Sequence, residues 1–240
     1  MIASALGTGD GGNVQVRAET VRVSGVHPQA FVDVTGKETL SPSGIASQAG
    51  TSTGSAGDVV LDADKVEILD GGRLTAETFG HGDGGNVVLT AGEVVVSGVN
   101  PALDAFGKSH RFSRDVARSK IASASSSGTL GEELTGKPGD IRIRAGLLRV
   151  TDGGMLSSET TTRGTGGDIR VEAERVSIED GAIVSAESRG VRSGRGGSIT
   201  ITAEDGFIGD SALVTTAAEN AEGGNLSIAA ADVELLNGMA

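Results

Sequence analysis

Apolar and polar residues alternate along most of this protein, in step with a recurring glycine pair. Residues 166–187 read GGDIRVEAERVSIEDGAIVSAE, and related stretches open at Gly84, Pro138, Gly196 and Gly223. Aligning the second glycine of each anchor gives repeats starting at Gly12, Gly57, Gly85, Gly139, Gly167, Gly197 and Gly224. The basic unit is about 28 residues. The steps from Gly12 to Gly57 and from Gly85 to Gly139 are longer, because those two units carry insertions.

Fixed columns run through the unit. Two residues after the anchor stand Val14, Val59, Val87, Ile141, Ile169, Ile199 and Leu226; four after it stand Val16, Leu61, Leu89, Ile143, Val171, Ile201 and Ile228. The sixth position is alanine in every unit: Ala18, Ala63, Ala91, Ala145, Ala173, Ala203 and Ala230. The spacing then places Val21, Val66, Val94, Leu148, Val176, Gly206 and Val233 at position nine, and Val23, Ile68, Val96, Val150, Ile178, Ile208 and Leu235 at position eleven. Position seventeen holds Leu74, Leu156, Val184 and Val214.

Alternation of this kind is strand periodicity. A single unit cannot bury its own inward face, whereas stacked units can. Gly-Gly-Asn/Asp and Asp-Gly supply the turns. The pattern predicts an all-β fold: a right-handed parallel β-helix (β-solenoid) of about 28 residues and three short strands per coil, with alanine at a tight corner. Right-handedness follows from the rule for parallel crossovers. At roughly 4.8 Å per rung the body is about 30–35 Å long. Residues 1–240 read as one β-helix segment that starts and ends mid-coil, as if cut from a longer protein. Its open end coils favour end-to-end self-association.

Insertions interrupt the pattern at about 25–44, 99–120 and 128–138. The first two leave from one corner, after Ser24-Gly25-Val26-His27-Pro28 and Ser97-Gly98-Val99-Asn100-Pro101, and resume at Ile45-Ala46-Ser47 and Ile121-Ala122-Ser123. They flank one plain coil, so their bases lie about 10 Å apart. Phe31, Phe106 and Phe112 fall within them, as for a small satellite core or a raised binding surface. The second is basic on a chain of net charge −12: it holds Lys108, His110, Arg111, Phe112, Arg114, Arg118 and Lys120, and Phe112, Val116 and Lys120 have the spacing of a helical turn. These residues form the candidate binding loop, for a carboxylated or sulfated glycan or another acidic partner. The competing reading is that its charges pair with the acidic shaft.

The acidic balance disfavours nucleic acid and anionic membranes as partners. No stretch is apolar enough for a membrane span. Cysteine is absent, which removes disulfide and thiolate-metal chemistry. A polysaccharide lyase or hydrolase on this scaffold would need opposed acids and bases, for example Arg111, Arg114 or Lys120 facing Asp70 or Asp104. His27, His81 and His110 share no column and no ligand spacing. Tyrosine and tryptophan are absent, which removes the aromatic platforms of a sugar cleft. Asp152, Asp180 and Asp210, with Asp140 and Asp168, read as stacked turn acids. A bridging calcium is the alternative explanation of those columns; the residues call for no other cofactor.

The unit GGN-V-x-V-x-A-x-x-V-x-V-x-DGA-x-I-S-A resembles the repeat of filamentous haemagglutinin-like exoproteins of two-partner secretion, in the style of their cyanobacterial members. The two Ser-Gly-Val-x-Pro breaks followed by Ile-Ala-Ser are similar as well. The resemblance implies a β-helical passenger exported through an outer-membrane transporter, secreted or held at the cell outer surface, with adhesion or aggregation as its role and glycans or neighbouring cells as contacts. It transfers no catalytic residue. The expectation is a non-enzymatic shaft segment, with a polysaccharide-active β-helix enzyme as the alternative.

Overall fold

The computed structural model of the protein describes residues 1–5, 8–27, 31–32, 38–39, 41–50, 53–103, 117–126, 135–189 and 194–240, with residues 31–32 and 38–39 described for their backbone alone. The protein is all-β. Its long strands are β2 (Val14–Ser24), β6 (Val59–Leu69), β8 (Val87–Ser97), β10 (Ile141–Thr151), β12 (Ile169–Glu179) and β14 (Ile199–Asp210), followed by the shorter β16 (Leu226–Ala230) and β17 (Val233–Leu236). They form one eight-stranded parallel sheet in sequence order, with β16 and β17 both paired to β14. Short strands form a second parallel sheet of seven: β1 (Ile2–Ala5), β5 (Gly44–Ala49), β7 (Arg73–Thr78), β9 (Lys120–Ser125), β11 (Met155–Thr160), β13 (Ile183–Ser185) and β15 (Leu213–Thr215). Between β2 and β5, β3 (Phe31–Val32) and β4 (Glu38–Thr39) pair antiparallel.

Partners in both sheets lie one repeat apart, so the sequence columns are physical rungs. Ile141 pairs with Ile169, Ile143 with Val171, Ala145 with Ala173, Leu148 with Val176 and Val150 with Ile178. Val59, Val66, Ile68, Val87, Val94, Ile141, Leu148 and Val171 are all fully buried, each worth about 1.5–3 kcal/mol of transfer free energy. Leu74, Ile121, Leu156 and Val184 close the core from the second sheet. Within each long strand the inward phase slips once. In β6, Val59, Leu61 and Ala63 point inward, then Asp64 and Lys65 both face outward before Val66 and Ile68 turn in again. The ladder skips a residue there, from Ala63↔Ala91 to Lys65↔Glu93. The long strand is thus two inward-facing segments joined at a bend, and the repeated alanine is the last inward residue before it.

The sixth repeat departs from the sequence columns. Spacing puts Gly206 and Ile208 at the inward positions, but the ladder shifts after Ala173 and pairs Val176 with Phe207 and Ile178 with Gly209. Phe207 is 1% exposed and Ile208 37%. The added residue is offset by a shorter turn: three residues separate Glu179 from Ile183, and two separate their partners Asp210 and Leu213. Asp210 therefore leaves the turn column. Ser211 (φ 50°) takes the left-handed position that Asp70, Asp152 and Asp180 hold in their own turns. Inward Gly209 leaves a hollow that Met239 fills, for a Cβ on Gly209 would overlap the Met239 Sδ.

Two polar devices bind the rungs at the glycine anchors. The side-chain oxygen after each anchor accepts the backbone N–H of its counterpart one rung on: Asn13 from Asp58 (2.8 Å), Asp58 from Asn86 (2.8 Å), Asn86 from Asp140 (2.9 Å), Asp140 from Asp168 (3.0 Å) and Asp168 from Ser198 (2.8 Å). The anchors themselves pack backbone on backbone. A Cβ at Gly57 would meet the Gly12 carbonyl oxygen at 2.7 Å, and one at Gly85, Gly139, Gly167 or Gly197 would overlap the carbonyl of the anchor before it. A second glycine column three residues earlier, Gly54, Gly82, Gly136, Gly164 and Gly194, stacks the same way.

Candidate functional site

The second insertion leaves the shaft at Gly98, whose φ of 97° turns the backbone outward where plain repeats have an Asp-Gly turn. The Asn100 side chain then caps one helical turn at residues 101–103, its Oδ1 accepting the N–H groups of Ala102 (3.0 Å) and Leu103 (3.2 Å), and Pro101 occupies the first helical position, where a missing N–H costs nothing. The two arms meet in an antiparallel bridge between Val99 and Arg118. It is closed by Asn100 N–H to the Ala117 carbonyl (2.8 Å) and Ser119 N–H to the Gly98 carbonyl (2.9 Å). The first insertion has the same base, with Val26 bridged to Pro42 and His27 N–H donating to the Ser41 carbonyl (2.8 Å).

This base is seated on its neighbours. On one side it covers the plain turn of the second repeat: Leu103 and Ala117 are buried, and a Cβ on Gly71 would lie 2.7 Å from Asn100 Cβ and 3.1 Å from Leu103 Cδ1. Asn100 Nδ2 donates to the Asp70 carbonyl (2.9 Å), and Ser119 Oγ accepts Gly71 N–H (2.9 Å). On the other side Val99 and Arg118 lie over Gly153.

Of the candidate loop residues, Arg118 and Lys120 are described; Lys108, His110, Arg111, Phe112 and Arg114 lie outside the described residues, as do Phe106, Asp104 and Val116. Arg118 reaches along the stack of turns, its Nη1 donating to the carbonyls of Gly153 (2.5 Å) and Gly181 (3.1 Å). Lys120 opens strand β9 and so has no place in a helical turn; its Nζ pairs with Glu77 Oε1 at 3.3 Å, both side chains being mostly buried. It faces Glu77, and the Asp70 carboxylate takes a hydrogen bond from Ser24 Oγ (3.0 Å). Arg73, the rung partner of Lys120, completes the cluster: burial lowers its pKa, and the Glu77 carboxylate draws it back up. Both described cations therefore fasten the insertion to the shaft.

The turn aspartates are occupied in a repeating manner. Ser24, Ser97 and Thr151 donate to the carboxylates of Asp70 (3.0 Å), Asp152 (2.8 Å) and Asp180 (3.2 Å), each one rung on. Asp140 accepts both Arg142 Nη2 (2.6 Å) and the Asp168 N–H. Among the described residues no group of three or more His, Cys, Asp or Glu lies close enough to hold a metal ion. His27 lies in the base of the first insertion and His81 in a bend before the third anchor, in different repeats. A shallow groove of about 510 Å³ crosses the outer face of the long-strand sheet, past Thr90, Arg144, Ala145, Glu172, Glu174 and Thr202. Its Arg144 and Glu172 are paired with each other at 2.9 Å.

Sequence reasoning reached the insertion base but not its purpose. Arg118 lies 35 residues from Gly153 and 63 from Gly181, and only the stacking of three turns brings them together. The second glycine column was visible at its fixed offset from the anchors. No helix of the described residues is long and apolar enough to cross a membrane. No protein-family model matches the sequence, and neither the curated proteins nor the solved structures give a match.

Proposed function

We propose that the protein is a right-handed parallel β-helix, with coils of about 28 residues made of three inward-facing segments. In this reading it serves as a non-enzymatic shaft in a secreted or surface-displayed exoprotein of the filamentous haemagglutinin-like kind. An outer-membrane transporter exports it, no cofactor is required, and the insertion at 99–120 contacts glycans or neighbouring cell surfaces in adhesion or aggregation.

The observation that carries the reading is the use to which the polar side chains are put. A repeated sequence builds continuous parallel rungs. The Asn/Asp anchors, turn aspartates, Arg118 and Lys120 all hold one rung or loop to the next. Side chains spent on rigidity suit display better than turnover, because catalysis needs acids and bases aimed at an open site. The repeat style quoted above supports the family assignment.

The test is a glycan-array and cell-binding screen of the protein beside a variant whose residues 99–120 are replaced by a short Asp-Gly turn like that of the second repeat. Binding by the parent and its loss in the variant is expected. Equal binding by both would move the contact to the shaft. Release of reducing or unsaturated sugar from uronate polymers would replace the shaft reading with an enzymatic one.

A further inference from the structure

The outer face of the long-strand sheet carries an ordered charge pattern on the stretch before the bend. Arg17, Asp62, Thr90, Arg144 and Glu172 are direct rung partners in one outward column. Along the shaft the column is positive, negative, neutral, positive, negative. Arg17 pairs with Asp62 at 3.1 Å and Arg144 with Glu172 at 2.9 Å, and all four side chains are exposed. The two ion pairs stand at equal rung distances on either side of Thr90. Reversing the column exchanges every charge for its opposite and leaves Thr90 in place. The rung of Thr90 is also the uncharged one among these five on this face: before the bend it presents Asn86, Val88, Thr90 and Gly92. Half-buried Val60 lies beside Val88.

We propose that this face docks a second copy of the protein, laid antiparallel about a two-fold axis that passes through Thr90 along the strand direction. The contact needs only the stack of rungs and is independent of what the insertion at 99–120 touches. A two-fold contact meets its own surface, so the order of charges decides which orientation is allowed. With the shafts antiparallel, Arg17 faces Glu172 of the second copy and Asp62 faces its Arg144, each twice over. Val88 and Thr90 meet their own counterparts at the centre. With the shafts parallel and the axis along the column, every charge meets itself. The ion pairs within each chain are kept, so each becomes half of a square of alternating charges. Such an arrangement fixes register and orientation more than it adds affinity. The neutral rung gives the patch an apolar centre, and the ion pairs give it a polar rim.

The other outward columns are compatible with this register. Arg142 faces Val60 of the second copy and lies beside its Asp58, and Arg170 faces its Gln15. Glu19 and Glu174 meet at the bend, on the rim, where salt and water screen like charges. The face from Asn86 to Gly92, taken over five rungs, measures about 23 by 24 Å, or roughly 500 Å² on each partner. The total of about 1,000 Å² is the lower limit of a specific interface, so the dimer is weak and salt-sensitive.

The experiment uses the absence of cysteine from the protein. Thr90→Cys places one thiol on the proposed axis, and this variant is treated with a short bis-maleimide at low and high salt. A second protein adds Arg17→Asp, Asp62→Arg, Arg144→Asp and Glu172→Arg to Thr90→Cys. It exchanges every charge of the column while keeping the net charge and the ion pairs within a chain. Each protein alone should give covalent dimer, with a yield that falls at least about fivefold between about 0.05 M and 0.5 M salt. The two mixed should give almost no mixed dimer, because every facing pair of the column is then like-charged; intact mass separates the three species. Adding only Arg144→Glu to Thr90→Cys sets a carboxylate opposite Asp62 and should lower the yield to that seen at high salt. Mixed dimer in statistical proportion overturns the proposal. So does a yield indifferent to salt or to Arg144→Glu, or a parent protein that sediments as a monomer at every concentration in low salt.

Discussion

At the scale of single residues, two kinds of position hold this protein in shape: inward aliphatics and backbone-packed glycines. Val171 is fully buried, in a column between Ile143 and Ile201. A carboxylate there would have no partner in the core, so Val171→Asp should cost ~4 kcal/mol or more, read as a lower urea midpoint. An unchanged melt would refute the inward column. Gly139 tests the second kind. A Cβ added to it would overlap the Gly85 carbonyl, and backbone cannot swing aside as a side chain can. Gly139→Ala should therefore destabilise by about 1–3 kcal/mol. Gly9, with nothing within 4 Å of the same added atom, should accept alanine with a change of no more than about 0.5 kcal/mol. Equal effects at the two glycines would mean that the anchor glycines serve backbone flexibility and not close stacking.

At the scale of elements, the insertion base is a clamp across three turns, and Arg118 is its long arm. Its Nη1 reaches the Gly153 and Gly181 carbonyls together. Arg118→Ala should cost about 2 kcal/mol, as for a charge-assisted bond to carbonyls that are left without it. Faster amide exchange should follow at the turns around Gly153 and Gly181. Arg118→Lys should recover part of the loss, because both bonds come from one nitrogen and an ammonium also offers several N–H groups, though on a shorter stem and with a different geometry. This element also marks where the sequence stopped being readable. The strand columns are legible because period-two alternation and the repeat spacing both name the same inward residues. The bulge of β14 is not, because the residue gained before Phe207 is lost again before Leu213. The step from Gly197 to Gly224 therefore stays close to the ordinary repeat, and Val214 remains in its column while Phe207 and Gly209 do not. Arg118 looked like part of a basic loop because its neighbours in sequence are basic. Its partners are neighbours only through stacking, which charge counting does not register. The legible part of the candidate site was therefore its location on the insertion corner.

At the scale of the whole molecule, the defining property is interchangeability of rungs. Apart from the shifted ladder of β14, the repeats present the same columns upward and downward, so stability should behave as a sum over units and nearest-neighbour interfaces. Removing one complete repeat tests this directly. Deleting residues 140–167 joins Gly139 to Asp168 and takes out one full step between anchors. The main rung pairings removed on one side have replacements on the other, although the Ser158 Oγ bond to the Gly139 carbonyl is lost because Ala186 takes that column. The Asn86 side chain, which now accepts the Asp140 N–H, would receive that of Asp168. Val87 and Val94 would pair with Ile169 and Val176 in place of Ile141 and Leu148, and Ile121 would meet Val184 in place of Leu156. Gly181 would take the place of Gly153 beneath Arg118. The shortened protein should fold cooperatively, keep the same β signature per residue, and show a smaller denaturant m-value in proportion to the surface removed. Its stability should fall by one unit and one interface, without collapse. A shortened protein that aggregates or melts without a transition would show that the rungs are individually fitted, and that the repeat columns describe the sequence better than they describe the forces holding the fold.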